Sequence, residues 1–476
     1  MSSRTDSLHR GRSWPYIHAA IFCLLTSLAN GSAQPFAPPD PFSTAGYGKY
    51  IGRTMGLLAS SDMYCKRTVR ILVYGQSISA QDWWLEVSRD LKERFPNANI
   101  VMENRAIGGF STQYLFKTVE ADVASFYPDL VLLHIYGSDK YYDSVLCTIR
   151  SRTTAEVAMT TDHFTGENRW SDSMTYHILP GLAAKYHCEL LPLRDHWKHY
   201  TEKNDIRPVD LTTDGQHLND QGNFLMAELI KPYLYYEPGV TTDPDKLQTT
   251  FRVGRDIDFS GDTLTLIFEG NKVDVVTGTG GFSPADSAWI LLDGRRPSEY
   301  QGCYFASRPY NTRGDSWPWN LPGMIRVQHL AAWTDEEWKC VFTEAAEPFT
   351  DFSFVITGSV TGYDGAGSGT SDFISLSKKV VIRGGDAEDG GDWHLNRSYR
   401  VLKTLVLPGD TIRWKTESIS SDLYVPRIAN DPLVENITTL FQGVANTRHT
   451  LRIIRAGRNL PPIREIRVFR PFWNQK

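Results

Sequence analysis

Five short apolar runs, spread over residues 70 to 236, constrain the fold of this chain more than any other feature. Stretches of about 20 to 30 residues separate them, and Trp84, Val87 and Leu91 recur between the first two at helical spacing. Near-continuous apolar strands joined by helices are typical of a parallel sheet buried on both faces. The sequence therefore predicts an α/β domain over residues 67–237. The runs are Ile71–Tyr74, Ile100–Met102, Leu130–Ile135, Val157–Met159 and the weaker Leu190–Leu193.

Residues 245–476 follow a different pattern, with a period of two and many turn residues. Thr263–Phe268 and Lys272–Val276 flank a Gly-Asn pair, which predicts a hairpin. About a dozen such strands are expected, Val401–Leu407 among them, and Gly362–Gly391 is expected to be a loop. The pattern predicts an all-β sandwich or jelly roll.

The tryptophans of this second half allow two interpretations. Aromatic side chains in loops can stack on sugars, which favours a carbohydrate-binding domain, whereas a large sandwich also needs an aromatic core. Both interpretations stay open. The residues concerned are Trp317, Trp319, Trp333 and Trp338.

The amino terminus has the pattern of an export signal. Arginines precede the apolar stretch Ala19–Leu25, and Gly31-Ser32-Ala33 resembles a cleavage site, so residues 1–33 are predicted to be a signal peptide. An uncleaved anchor is the alternative, although the stretch is short for a membrane span. We expect a secreted or periplasmic protein with an extended segment over 34–66 and no stable membrane insertion after cleavage.

Charge and cysteine content narrow the possible partners and sites. The chain has 50 Lys+Arg against 55 Asp+Glu and a net charge of -5, which does not favour nucleic acid as a partner. The five cysteines after the leader are odd in number, so at least one thiol is free, and Cys303 and Cys340 could pair. No CxxC or Cys/His cluster indicates a structural zinc site.

Ser77 follows the first predicted strand in the segment Gly75-Gln76-Ser77-Ile78-Ser79. A serine at the carboxyl edge of a parallel sheet stands where α/β proteins bind ligands, beside the start of a helix. It is therefore a candidate nucleophile. The alternative is that Ser77 and Ser79 only cap that helix.

Asp214 and His217 stand three residues apart, just before the last predicted helix of the same domain. On one loop, the carboxylate can orient the imidazole, and the imidazole can deprotonate a serine. The alternative is a loop aspartate in an Asx turn beside an unrelated histidine.

Together these segments resemble the SGNH hydrolases, also called GDSL-type esterases and lipases, over about residues 70–235. The resemblance implies a flavodoxin-like domain in which Ser77 is the nucleophile, His217 the base and Asp214 its partner. The segment Asn104-Arg105-Ala106-Ile107-Gly108-Gly109 matches the block of that family that supplies an oxyanion donor. The resemblance implies Gly109 for this role, with Gly108 as the adjacent choice, beside the N–H of Ser77.

The third block departs from the family pattern, because Gly137-Ser138-Asp139 stands where Gly-x-Asn is usual. A carboxylate at Asp139 would repel an oxyanion, and loss of one donor costs ~10² to 10³ in rate. Three explanations of this departure stay open: Asp139 is protonated, Ser138 or Lys140 takes the place of the usual asparagine, or the enzyme is weak or inactive. A turn residue paired with Lys140 is a further alternative.

Other polar residues also follow the predicted strands. His134 lies in the third run, Asp162-His163 follow the fourth and Asp195-His196 follow the fifth. Each could line the cleft, but a metal site would require that they converge. We predict neither a metal nor a cofactor.

The function expected from these features is that of an exported serine esterase. The resemblance implies an ester substrate, and export with an appended β-rich domain favours O-acetyl groups on a polysaccharide. A glycan-binding or cell-surface protein without turnover is the alternative that Asp139 motivates. A lipase or thioesterase is the third, and would need a broad apolar cleft.

Overall fold

A computed structural model describes residues 36–239, 243–278, 283–311, 323–330, 333–427 and 431–473. The predicted signal peptide 1–33 and the tryptophans Trp317 and Trp319 lie outside these residues. Pro38–Lys476 form one compact unit, within which we call residues 38–239 the α/β region and residues 243–473 the β-rich region. None of the described helices is long and apolar enough to cross a membrane.

The α/β region alternates strands and helices as the apolar runs predict. Its strands are β1 Thr68–Gly75, β2 Asn99–Asn104, β3 Leu130–His134, β4 Glu156–Thr160 and β5 Glu189–Leu191. Its helices are α1 Gly52–Ala59, α2 Trp83–Arg94, α3 Thr112–Val119, α4 Asp139–Arg152, α5 Arg169–Ser173, α6 Leu179–Tyr186, α7 Leu193–Lys203 and α8 Asp220–Ile230.

The five strands form one parallel sheet in the order β2-β1-β3-β4-β5. Every residue of β3 and β4 is buried, because separate hydrophobic clusters cover the two faces of the sheet. This arrangement confirms the predicted flavodoxin-like fold. It also brings the carboxyl ends of β1, β3 and β4 to a single edge.

The segment 34–66 is not wholly extended, because it contains α1. Ile51, Met55 and Leu58 are fully or almost fully buried against the sheet. Glu156 accepts hydrogen bonds from the N–H groups of Arg53 and Thr54 at 2.9 and 2.7 Å. Tertiary packing therefore stabilises a short helix that local sequence did not indicate.

The β-rich region is antiparallel, as predicted. Two six-stranded sheets follow the orders β18-β8-β19-β7-β20-β6 and β10-β17-β12-β13-β14, the second with β9 beside β17, and a small sheet has the order β11-β16-β15. The strands are β6 Gln248–Arg252, β7 Thr263–Thr277, β8 Ala288–Leu292, β9 Tyr304–Ala306, β10 Tyr310–Asn311, β11 Gln328–His329, β12 Glu336–Ala345, β13 Phe352–Gly358, β14 Gly362–Ser368, β15 Phe373–Ile374, β16 Val380–Ile382, β17 Thr411–Ser418, β18 Leu423–Tyr424, β19 Ile437–Arg455 and β20 Ile463–Phe469, with helix α9 at Leu395–Leu402.

Three local predictions for this region are wrong. The expected hairpin is the continuous strand β7, because Gly270 lets the backbone pass close to β20: a Cβ there would lie 2.4 Å from the carbonyl oxygen of Phe469. The expected loop Gly362–Gly391 contains β14, β15 and β16, and Gly365 and Gly367 of β14 accommodate neighbouring phenylalanine rings. The expected strand Val401–Leu407 begins as the end of α9.

The cysteines of the described residues are all free thiols. Cys303 and Cys340 are both buried, but in different hydrophobic clusters, so they do not pair. Burial raises the pKa of Cys303 to about 12 and also raises the pKa of Cys340. Both side chains therefore act as small apolar groups of the core.

The two regions share a buried interface. Ile325 and Ala387 of the β-rich region belong to the hydrophobic cluster on one face of the parallel sheet, and Trp473 packs against it. Lys117 of α3 is buried and donates to the carbonyl oxygens of Gly390 and Gly391. The α/β region therefore does not complete its own core.

Candidate active site

Ser77 lies on the turn that leaves β1. The preceding Gly75 has φ +150°, and a Cβ there would lie 2.0 Å from the carbonyl oxygen of His134, so only glycine allows this approach to β3. Ser79 donates to the same carbonyl at 2.9 Å. Helix α2 begins only at Trp83, so Ser77 is not its cap.

Asp214 and His217 lie on a tight loop before α8. The N–H of Thr213 donates to the carbonyl oxygen of His217 at 2.7 Å, and Gly215 adopts φ +87°. Oδ1 of Asp214 accepts the N–H groups of Gln216 at 3.0 Å and His217 at 2.8 Å. Asp214 thus forms the Asx turn of the alternative interpretation, and this turn leaves its second oxygen free to face the imidazole.

The structure brings together the three residues singled out from the sequence. Nε2 of His217 lies 2.9 Å from Oγ of Ser77, and Nδ1 lies 2.7 Å from Oδ2 of Asp214. The hydrogen bond from His217, followed by that residue's own N–H, lowers the pKa of Asp214 to about 2. The ionised carboxylate favours a proton on Nδ1, which leaves the lone pair of Nε2 directed at the serine.

Two amide side chains, which the sequence analysis missed, hold the site together. Gln81 accepts the N–H of Leu218 at 2.9 Å and donates to its carbonyl oxygen at 2.7 Å. Asn104 donates to the carbonyl oxygen of Ser79 at 2.7 Å and accepts the N–H of Ala106 at 2.9 Å. They fix the turn of Ser77 relative to the loops on either side. The contacts that join the loops, from Gln81 to Leu218 and from Asn104 to Ser79, link parts of the chain that are distant in sequence, so neither carries a local signal.

Gly109 and Gly108 follow β2 on a loop tied to the turn of Ser77. The N–H of Ile107 donates to the carbonyl oxygen of Gly75 at 2.9 Å, and Gly109 adopts φ +76°. Gly108 is buried and lines the cleft, whereas Gly109 is exposed. Among the described residues, no hydrogen bond uses the N–H of either Ser77 or Gly109. These groups remain available to a ligand.

Asp139 does not reach the cleft. It is exposed in the first turn of α4 and does not line the cavity beside Ser77. Its one hydrogen bond within the described part of the chain comes from Oγ of Ser138 at 3.3 Å. No ion pair with Lys140 is formed in that part. The carboxylate of Asp139 instead lies in the first turn of α4, where the helix dipole favours a negative charge.

The cleft beside Ser77 has a volume of about 590 Å³. Eight of its twelve lining residues are polar, and among the described residues one lining side chain comes from the β-rich region: Arg308. Buried Asp122 holds this guanidinium at 2.8 Å, and the carbonyl oxygen of Arg105 accepts from it at 2.9 Å. Burial outweighs Arg308 and raises the pKa of Asp122. The lining residues are Ser77, Ala80, Gln81, Asn104, Arg105, Ala106, Ile107, Gly108, Thr213, Asp214, His217 and Arg308.

The remaining polar candidates divide into two groups. His134, Asp162 and His163 converge, with one potential ligand atom of each within 4.8 Å of the others. Asp195 and His196 lie in α7 and do not join them; His196 instead contacts the hydroxyl of Tyr233 at 2.7 Å.

The tryptophans of the two regions also differ in burial. Trp83 is a core residue of α2, whereas Trp84 is only partly buried. Trp338 is a core residue that stacks on Trp414 with ring centroids 6.1 Å apart. Trp333 lines a separate cavity beside His329.

Comparison with known proteins gave structural matches only. No protein-family model matches the chain, and a search of curated proteins found no match. The acetyl xylan esterase AlAXEase is 24% identical to this chain. The match covers 34% of this chain and 98% of that chain, with a TM-score of 0.31. A two-domain esterase (CEX) active on acetylated mannans is 14% identical to this chain. The match covers 88% of this chain and 95% of that chain, with a TM-score of 0.35.

A third match is an α/β hydrolase, LAE5, from the metagenome of Lake Arreo, Spain. It is 18% identical to this chain, and the match covers 36% of this chain and 98% of LAE5, with a TM-score of 0.32. The matches are thus of two kinds: the two-domain esterase spans most of the chain, and the others span about a third.

Proposed function

We propose that the protein is an exported serine esterase that removes O-acetyl groups from a polysaccharide. The observation that carries the proposal is the chain of hydrogen bonds from Ser77 through His217 to Asp214, with distances of 2.9 and 2.7 Å. Within reach of one cleft, these three groups have the geometry and charge of an activated nucleophile.

The acylation half of the reaction uses each of these groups once. Oγ of Ser77 attacks the ester carbonyl carbon while its proton passes to Nε2 of His217, and Asp214 stabilises the imidazolium. The N–H of Ser77 donates to the oxyanion together with that of Gly109 or of its neighbour Gly108, which lines the cleft. His217 then gives the proton to the departing sugar hydroxyl, which leaves an acetyl group on Ser77.

Deacylation repeats these steps with water. His217 removes a proton from the attacking water, the second tetrahedral intermediate collapses, and the proton returns to Oγ of Ser77 as acetate leaves. No metal or cofactor is required for either half.

The polar lining of the cleft favours a sugar ester over a lipid ester. Gln81, Thr213, Arg105 and Arg308 offer hydrogen-bonding groups, whereas the apolar lining consists of two alanines and Ile107. A long acyl chain would lie against these polar groups and leave them desolvated without partners. The predicted signal peptide also supports a substrate outside the cytoplasm.

The alternative of a binding protein without turnover rests on Asp139, and its position weakens that argument. Because this carboxylate is exposed and outside the lining of the cleft, it does not face the place where the oxyanion would form. An oxyanion hole of two backbone N–H groups is then sufficient for turnover.

The test is a screen of the purified mature protein on acetylated xylan, mannan and pectin, with short and long aryl esters. We expect acetate release from at least one polymer, hydrolysis of aryl acetate, and little activity on long acyl chains. A fluorophosphonate probe should label Ser77. Failure of the probe to label the native protein would favour the binding alternative.

A further inference from the structure

A second group of polar side chains lies at the same sheet edge as Ser77 but takes no part in the proposed reaction. His134 ends β3, and Asp162 with His163 follows β4. His134 is 2% exposed and His163 is 1% exposed. Parallel strands that pair side by side end at one edge, so the fold brings these residues together from separate parts of the sequence.

The hydrogen bonds of this group are incomplete. Among the described residues, neither ring nitrogen of His134 has a hydrogen-bond partner, and neither does Nδ1 of His163. A buried polar atom without a partner costs about 1 to 3 kcal/mol. Three such atoms within one cluster indicate that a ligand completes it.

The separations fit two ligands of a single ion. Nε2 of His134 lies 3.2 Å from Oδ1 of Asp162 without the geometry of a hydrogen bond. Ligand bonds of about 2.0 to 2.1 Å in a tetrahedral site place neighbouring donor atoms about 3.3 Å apart. One donor atom of each of the three residues lies within 4.8 Å of the others.

The surroundings orient the donors as a metal site requires. Nε2 of His163 lies 2.9 Å from the carbonyl oxygen of Gln216, which fixes the proton on Nε2 and leaves the lone pair on Nδ1. Ser171 donates to the other oxygen of Asp162 at 3.2 Å.

One cation also contacts the cluster. Arg194 lies against the carbonyl oxygen of His163, but its guanidinium is paired with Asp172 at 2.9 Å. Its charge is therefore largely compensated. With two neutral imidazoles and one carboxylate, a divalent ion would leave a net charge of one, which a bound water or hydroxide can share.

We propose that His134, Asp162 and His163 bind a divalent transition-metal ion of the zinc class. The donor set of two imidazoles and a carboxylate suits zinc, cobalt and nickel better than magnesium or calcium, which prefer oxygen ligands. The ion joins the ends of β3 and β4, and through the contact of His163 with Gln216 it holds the loop that carries His217. It is a positioning element and takes no part in the ester chemistry.

The experiment uses the full-length mature protein without a polyhistidine tag. After treatment with a chelator and dialysis, Co²⁺ is titrated and followed by its visible absorption, Zn²⁺ is titrated against the Tm, and bound metal is measured by mass spectrometry. We expect about one ion per chain and a rise in Tm of at least about 2 °C with excess Zn²⁺.

Two variants locate the ion. Asp162→Asn keeps the volume but removes the charge, and should lower Co²⁺ affinity at least about 10-fold. His199→Gln is the matched control, because this exposed histidine contacts Asp40 and lies in α7, outside the cluster; it should bind Co²⁺ as the native protein does.

Two results would overturn the proposal. One is native protein that retains no metal and shows neither Co²⁺ absorption nor a Tm shift with Zn²⁺. The other is unchanged stoichiometry and affinity in Asp162→Asn. Neither depends on ester hydrolysis, so the outcome is separate from the fate of the proposed function.

Discussion

The α/β region and the β-rich region contribute to the cleft in different ways. The first supplies the side chains that we propose react with the substrate, from short segments at the ends of secondary-structure elements, with Ser77 after β1 and His217 before α8. Among the residues that the structure describes, the second supplies only Arg308 to the lining of the cleft, held in place by Asp122 of the α/β region. The proposed reacting groups therefore lie in local sequence motifs, whereas the shape of the cleft depends on contacts between distant parts of the chain.

The strongest test of this division is Ser77→Ala. We expect loss of aryl ester hydrolysis by at least ~10³-fold and loss of fluorophosphonate labelling, because the nucleophile is removed while the turn keeps its backbone. Ser79→Ala is the control. The hydroxyl of Ser79 donates to the backbone carbonyl oxygen of His134, and its loss should leave labelling of Ser77 intact. Normal turnover in Ser77→Ala would show that the chemistry does not lie in the α/β region as proposed.

The next test is to end the chain after Gly239. The fragment keeps Ser77 and His217 but loses Ile325 and Ala387 from the cluster on one face of the sheet. Exposure of that apolar face should make the fragment less stable and prone to aggregate, as measured by Tm and size-exclusion chromatography. A monomeric fragment with native Tm and full activity on polymer would show that the β-rich region contributes nothing to the α/β region.

Acid should weaken the β-rich region through two buried histidines. Burial lowers the pKa of His329 to about 4 and that of His394 to about 3, below the value of about 6.5 in the unfolded chain. The unfolded state then binds more protons, so stability is full above pH ~6.5 and is lost as the pH falls towards 4. Each histidine can contribute up to about 1.4 kcal/mol per pH unit in this window.

Urea unfolding at several pH values measures this loss. The variant His394→Gln cannot take up the proton and should have a shallower slope between pH 6.5 and 4.5 than the native protein. His199→Gln, which changes an exposed histidine, should keep the native slope. Equal slopes in all three proteins would contradict the assignment to His394.

Arg308→Ala tests what the β-rich region contributes to the cleft. Loss of one guanidinium from the binding surface should raise KM on polymer about 10-fold, with kcat on small aryl acetate little changed, because the reacting groups are untouched. Arg452→Ala, a change on an exposed position of β19, is the control. If Arg308→Ala lowered kcat and not affinity, the β-rich region would have a share in the chemistry.

The smallest effect is expected for Asp139→Asn. The residue is exposed and outside the cleft, so kcat should stay within about two-fold, and stability should fall by about 0.3 to 1 kcal/mol as a favourable charge leaves the start of α4. A rise in kcat approaching ~10²-fold would instead mean that the carboxylate faces the oxyanion.

What the sequence predicts follows the same division. The parallel α/β class of the first region and the positions of Ser77, Asp214 and His217 could be inferred, because apolar runs and short motifs are local. The flavodoxin-like arrangement was implied by the family resemblance and not by the runs themselves. Arg308 and Gln81 could not, because their roles depend on partners far away in sequence. The continuous strand β7 was missed for a related reason. Gly270 locally indicates a turn, but a glycine is needed there because β20, distant in sequence, packs close to its backbone.

The buried Lys117 has a consequence for the order in which the molecule is made. This side chain is enclosed by Gly390, Gly391 and Asp392, which leave the ribosome long after α3. Until they arrive, the newly made α/β region displays a charged amine and an uncovered apolar face where the finished protein has an interior. The buried interface around Lys117 therefore forms only after residues 390–392 have been synthesised.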